Sequence, residues 1–245
     1  TEGLVQFFKK YAWDKTSKSF VQGGFANDPK RSQPWVVNVS AAKAVDAGTW
    51  SAAVLGQPLI DSWFGFGTAH ELWKNIKGWG GYFGPNKTLL GVGFSDKDGN
   101  GPGADYRQGI NSAEWTAGAI NFLRCMISDY ENVKSTDPNH AKAKSYAHEM
   151  INDQSTMLKG MMELRTDTYP TEQVYASVRP ANYRELLSMP PDKVAFIYAS
   201  KRYMIPFGWF ANPLPSTTAS SWAIMLHYNF NPFNPTGTYE AFLKP

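Results

Sequence analysis

Residues 91–120, GVGFSDKDGNGPGADYRQGINSAEWTAGAI, set acids, glycines and a tryptophan against the start of a helical pattern. Three chemistries fit this composition. First, Asp96, Asp98 and Asn100 take positions 1, 3 and 5 of an EF-hand-type loop, with Gly101 at position 6 for the sharp turn. Clustered hard oxygen ligands suit Ca2+. Arg107 replaces the bidentate Glu at position 12 and Pro102 follows the glycine, which argues against a true EF-hand. A looser Ca2+ site closed by Asp105 stays open. Second, a glycosidase needs one carboxyl to protonate the leaving oxygen and a carboxylate to activate water or attack carbon. Glu114, in a first helical turn beside Trp115, suits the acid, because an apolar neighbour raises its pKa. Asp96, Asp98 or Asp105 would supply the partner, with Asp46 and Asp61 in reserve. Third, tight turns use Asp, Asn and Gly whatever the function. Glu114 also follows Asn111 by the spacing of a capping box. Tyr106 and Arg107, next to Asp105, read either as donors to sugar hydroxyls or as part of a surface ion pair.

The aromatic content is high: 15%, with 9 Trp, 12 Tyr and 15 Phe, and many rings sit in WFGFG, GWGGYFG and IPFGWFANP. A ring beside glycine in a loop is poorly placed for a core and well placed to line a groove where sugars stack. Trp63, Phe66, Trp79, Tyr82, Tyr203 and Trp209 are therefore candidate platforms, with Arg202 and Asn212 as polar partners. The competing reading has the same rings capping helix ends and Arg202 pairing with a carboxylate. His70-Glu71 lacks the second histidine of a zincin helix, and no nucleophile elbow, Walker loop or dinucleotide fingerprint is present. A formal charge of +3 without a dense basic run argues against nucleic acid. No apolar run approaches the roughly 20 residues of a membrane span. Cys125, the only cysteine, reads as a small buried hydrophobe and excludes an intrachain disulfide. No cofactor is required by these motifs, Ca2+ being the one candidate. Asn38 and Asn86 open glycosylation triplets.

These side chains need elements to hold them. Apolar spacing predicts helices over 3–12, 41–56, from a cap at Asp61 or Ser62 to 76, 112–130, 138–165 and 216–228, with a short helical turn at 183–187. Short strands are expected at 35–39 and 89–94. Long Gly/Pro-rich connections fill 77–111 and 199–215. Helices joined alternately by short turns and long aromatic loops indicate one mostly α domain over 1–245, an α-hairpin toroid with minor β. Its cleft would be built by loops 61–68, 78–84, 94–107 and 203–215.

Three segments carry a resemblance. AVDAGTWSAAVLG is similar to the D-x-x-T-W-x-x-x-x-L-G helix of the six-hairpin (α/α)6-barrel glycosidases. INSAEWTAGAINFL resembles their E-(G/W)-T-A hairpin helix, and IPFGWFANPLPSTTASSWAIM with NFNPF resembles their last barrel helix and its exit. The resemblance implies a secreted or periplasmic protein acting on an oligo- or polysaccharide, as a glycoside hydrolase, a non-catalytic glycan-binding subunit or a polysaccharide lyase. No catalytic signature lies in the matched segments, so no residue role is carried over. At about 20–30 residues per helix and connection the chain holds about six to eight helices, short of the family's twelve. Either the toroid is incomplete, or a second chain or a preceding N-terminal half completes it.

Overall fold

The computed structural model describes residues 2–26, 35–98, 109–169, 193–243 and 245. They are mostly helical, with four two-stranded antiparallel sheets. The amino-terminal segment forms α1 (Glu2–Phe7), a π-helical turn (Phe8–Ala12), and the hairpins β1 (Trp13–Asp14) with β2 (Ser19–Phe20) and β3 (Gly24–Ala26) with β4 (Trp35–Val37). Then come α2 (Val45–Leu55), α3 (Gln57–Phe64), α4 (Thr68–Gly80), β5 (Gly81–Phe83), β6 (Leu89–Val92), α5 (Ala113–Glu131) and α6 (His140–Met162). The hairpin β7 (Tyr203–Ile205) and β8 (Trp209–Ala211) precedes α7 (Thr217–His227).

Helix α5 is the axis of the domain. It is apolar around most of its circumference, as a helix enclosed by others must be. Ile120, Phe122, Leu123 and Met126 are fully buried, and α2, α3, α6, α7 and β6 pack around it. Trp73 of α4 fills the space beside Phe122, and its indole N–H donates to Asp153 of α6 at 2.7 Å. Lys77 reaches the same carboxylate oxygen at 2.7 Å, so the one buried polar atom of Trp73 and a neighbouring cation share an acceptor.

The long helices fall within a few residues of their sequence expectation. The single helix expected from residue 63 is instead two. Phe64 ends α3, and Gly65 and Gly67 take φ of +104° and +92° before α4 begins. Only glycine adopts such angles without strain. Asp61 is therefore not the cap residue expected of it: it lies inside α3, and from there its carboxylate accepts from Gly67 N at 2.8 Å and Ala69 N at 3.0 Å at the start of α4. Ser216 caps α7, accepting from Ala219 N. The turn expected at 183–187 lies outside the described residues. No helix among the described residues is long and apolar enough to cross a membrane.

Candidate functional site

Three helix N-termini meet at one end of the bundle, and their own cap residues do not account for two of them. Ala44 and Ser112, which precede α2 and α5, are extended and give no side-chain cap. Their helices start instead on carbonyls from remote segments. Val45 N donates to Phe94 O at 3.0 Å, and Ala113 N donates to Tyr198 O at 3.1 Å. Ser112 N donates to Val92 O at 2.9 Å, so residues 92–94 tie the two helix starts together. Bridges Ala44–Ser95 and Ser112–Ala199 fix the register. On the far side, Ser216 N donates to Phe196 O at 2.9 Å, so residues 196–198 form a second strap that ties α7 to the start of α5. Orphan N–H groups at a helix start need acceptors, and here those acceptors dictate which helices meet.

The straps bring Asp46 and Glu114, each the second residue of its helix, into one electrostatic neighbourhood. Both carboxyls are half-buried. Burial raises both pKa values, and for Glu114 the nearby Asp46 charge adds to the rise. Trp222 and Tyr198 oppose it by acting on Glu114 as hydrogen-bond donors. Asp46 accepts from Ala47 N at 2.8 Å. The Trp115 indole N–H also favours the ionised Asp46, yet it closes no hydrogen bond of ordinary geometry with any group. Each helix start favours the ionised acid, and desolvation outweighs it. Burial, then the charges of Glu114 and Asp46, push the Tyr198 phenol upward, so Tyr198 keeps its proton.

The capping box expected at Glu114 does not form. The Asn111 N–H it would engage donates to Ser200 Oγ at 3.0 Å. The Asn111 side chain donates to Gly160 O and accepts from Thr116 Oγ1. Glu114 is thus left to face Tyr198, Trp222 and Asp46.

Aromatic rings frame the pair. Trp50 lies 5.9 Å from Trp115, 5.4 Å from Trp222 and 5.9 Å from Phe233. Trp115 continues the set to Phe94 at 4.7 Å and Trp209 at 6.1 Å, and Tyr198 stands 5.9 Å from Trp209. Trp50, Trp115, Tyr198, Trp209 and Phe233 are only partly buried. Trp50 fits here because Gly118 of α5 has no side chain beneath its indole edge.

The sequence-predicted residues divide. Glu114 and Trp209 belong to this set. Arg202, Tyr203 and Asn212 lie in the hairpin that carries Trp209: Arg202 donates to Asn212 Oδ1 at 2.6 Å and stacks 4.1 Å from Phe210. Tyr203 is 7% exposed and donates to Lys97 O, so it is a buried strut and not a platform. Tyr82 is 4% exposed and likewise unavailable for stacking. Trp79 packs on the main core with its indole N–H buried and without a partner. Trp63 lies against Phe64 under Lys9. Phe66 packs on Tyr130 and Tyr146. Since Tyr130 ends α5 and Glu114 begins it, about 24 Å of helix separates them, and loop 61–68 does not join the acid pair.

The loop acids have structural duties. Asp96 Oδ1 accepts from Lys43 N at 2.9 Å. Asp98 accepts from Phe94 N, Ser95 N and Ser95 Oγ, closing the turn below the strap. One oxygen of Asp96 and both of Asp98 are used by the protein, and among the described residues no three His, Cys, Asp or Glu side chains gather to hold a metal. Asn100, Asp105, Tyr106 and Arg107, the rest of the expected Ca2+ and sugar-binding set, lie outside the described residues.

A cleft of about 690 Å3 opens at the other end of α5, lined by Gln57, Asp61, Phe66, Asp129, Lys134 and neighbours. Asp61 is committed there to Gln57, Gly67, Ala69 and Tyr130. Sequence reasoning held Asp46 in reserve and missed Tyr198, Trp222 and Phe233. The available signal was the kinship of VDAGTW and AEWTAG, two helix starts with an acid at the second position and a nearby Trp. No protein-family model, curated protein or solved structure matches the chain.

Proposed function

We propose that this chain is a glycoside hydrolase of the α-hairpin toroid class, acting on an oligo- or polysaccharide outside the cytoplasm. One observation carries the reading: Asp46 and Glu114 stand at joined helix starts, close enough to act on each other's charge, beside the partly exposed rings of Trp50, Trp115 and Trp209. Neighbouring acids with raised pKa values favour holding one proton between them. Glu114 delivers that proton to the glycosidic oxygen as the bond to the anomeric carbon breaks. Asp46 takes a proton from the water that adds to that carbon. The partly exposed indole faces hold the sugar by its C–H edges.

The test is a panel of neutral and anionic polysaccharides with reducing-end detection beside a retention assay. Glu114→Gln and Asp46→Asn are each expected to lower turnover by roughly 10²–10⁴-fold while retention persists. Retention by the wild-type protein without product would replace this reading by a glycan-binding subunit. An unsaturated, ultraviolet-absorbing product would replace it by a lyase.

A further inference from the structure

We propose that the cleft at the far end of α5 is a second, non-catalytic glycan site, in which Phe66 stacks on a neutral sugar and Asn132 and Thr136 bond its hydroxyls. That this sugar belongs to the polymer cleaved at Asp46 and Glu114 rests on the hydrolase reading above. The cleft lies between two loops. Phe66 stands in the first, between Gly65 and Gly67, and the turn from Asn132 to Pro138 forms the other wall. At about 690 Å3 the cleft falls inside the ~300–1,000 Å3 range of small-molecule sites. Phe66 is half-buried: it makes an edge contact with Tyr130 at 5.9 Å and stacks on Tyr146 at 6.1 Å. The ring is thereby fixed while part of it stays open to the cleft.

The second wall is preformed. Val133 N donates to Tyr130 O at 3.3 Å, Asp137 N donates to Lys134 O at 2.9 Å, and Asn139 N donates to Asp137 Oδ1 at 2.7 Å. Val133 O accepts from His140 Nδ1 at 2.8 Å. The side chains of Asn132, Lys134 and Thr136 are exposed and make no hydrogen bond among the described residues. An amide and a hydroxyl both donate and accept, as sugar hydroxyls do, and a turn already ordered loses little entropy on binding. The acids of the cleft argue against a cation as the occupant. Asp61 and Asp129 are 8% and 7% exposed, and the protein uses their carboxylates. Asp61 accepts from Gln57 Nε2, Gly67 N, Ala69 N and Tyr130 OH, and Asp129 Oδ2 accepts from Gln57 N at 3.0 Å. Burial also pushes the Asp129 pKa up to about 7, which weakens its hold on a cation near neutrality. The exposed charges, Lys134 and Asp137, are opposite in sign. What remains for a ligand is a ring, an amide and a hydroxyl, the complement of an uncharged sugar. The site binds without cleaving because its buried acids already serve the fold.

The experiment follows the ring itself. The protein is prepared with isotope-labelled phenylalanine for NMR, and Phe66→Leu assigns the Phe66 signal. It is titrated with short oligosaccharides made from the neutral polysaccharides of the panel, and separately with a simple diamine. At least one oligosaccharide is expected to shift the Phe66 signal, in Glu114→Gln as in the wild type. Asn132→Ala combined with Thr136→Ala should weaken that titration about tenfold. Both side chains are exposed and hold no part of the fold, and the wild-type titration decides the question even without the double variant. A Phe66 signal unmoved by every sugar overturns the proposal, as does a shift that the double variant leaves at full affinity. A shift produced by the diamine alone overturns it in favour of an amine held by the acids. A sugar-dependent shift in a protein that releases no reducing ends upholds the second site and removes the hydrolase reading. Cleavage with Phe66 unmoved does the reverse.

Discussion

Replacing Asp129 with asparagine is expected to remove a large part of the pH dependence of stability. Asp129 sits in the last turn of α5, 7% exposed. Its Oδ2 accepts from Gln57 N at 3.0 Å at the start of α3, and it also accepts from the Ala241 backbone. Burial, assisted by the Asp61 charge, pushes its pKa from 3.8 to about 7. The folded protein thus binds this proton more tightly than the unfolded chain. The stability it contributes is complete below pH 3.8 and is lost as pH rises through 7. The span corresponds to about 4 kcal/mol, a ceiling because relaxation and water entry around a buried charge reduce its cost. For a chain of this size that is on the order of ten degrees in melting temperature between pH 4 and 8. Asparagine keeps an acceptor for Gln57 N and cannot ionise. Thermal melts across that range should show the variant flatter than the wild type and more stable at pH 8. An equal decline in both proteins would refute the assignment.

At the site, Gly118→Ala would drive a methyl into Trp50 Nε1, with Cε2 at 3.0 Å and Cδ1 at 3.2 Å. A rigid indole among three other rings yields poorly, so a loss of about 1–3 kcal/mol and an altered near-ultraviolet circular dichroism spectrum are expected. An unchanged spectrum would show the ring free to shift. Cys125 is 4% exposed and its thiol is pushed up to about 12, chiefly by burial and then by the Asp129 charge. Iodoacetamide should leave it untouched in the folded protein at pH 8 and label it fully in denaturant. Prompt labelling of the native state would contradict that burial.

The helices were legible because their signals are local. The pattern Trp115, Ala119, Phe122, Met126 and Tyr130 placed α5 within one residue at each end, and Ser216 announced α7 through a cap of its own. The break between α3 and α4 was written in GFG, whose glycines take left-handed angles. It was overridden by the apolar stripe that runs through it. The aromatic residues of WFGFG and IPFGWFANP were recognised as a class, but their types do not say which end of α5 each one reaches.

Residue chemistry and helical periodicity are properties of short stretches, and the chain alone carries them: a mostly helical domain, Glu114 in a first turn, tryptophans in excess. The pairing of Glu114 with Asp46, and the company of Tyr198 and Trp222, arise only on folding. The first turns of α2 and α5 take their missing acceptors from Phe94 and Tyr198, far away in sequence. No local pattern encodes where a remote carbonyl will come to rest, and that placement decides which acids meet.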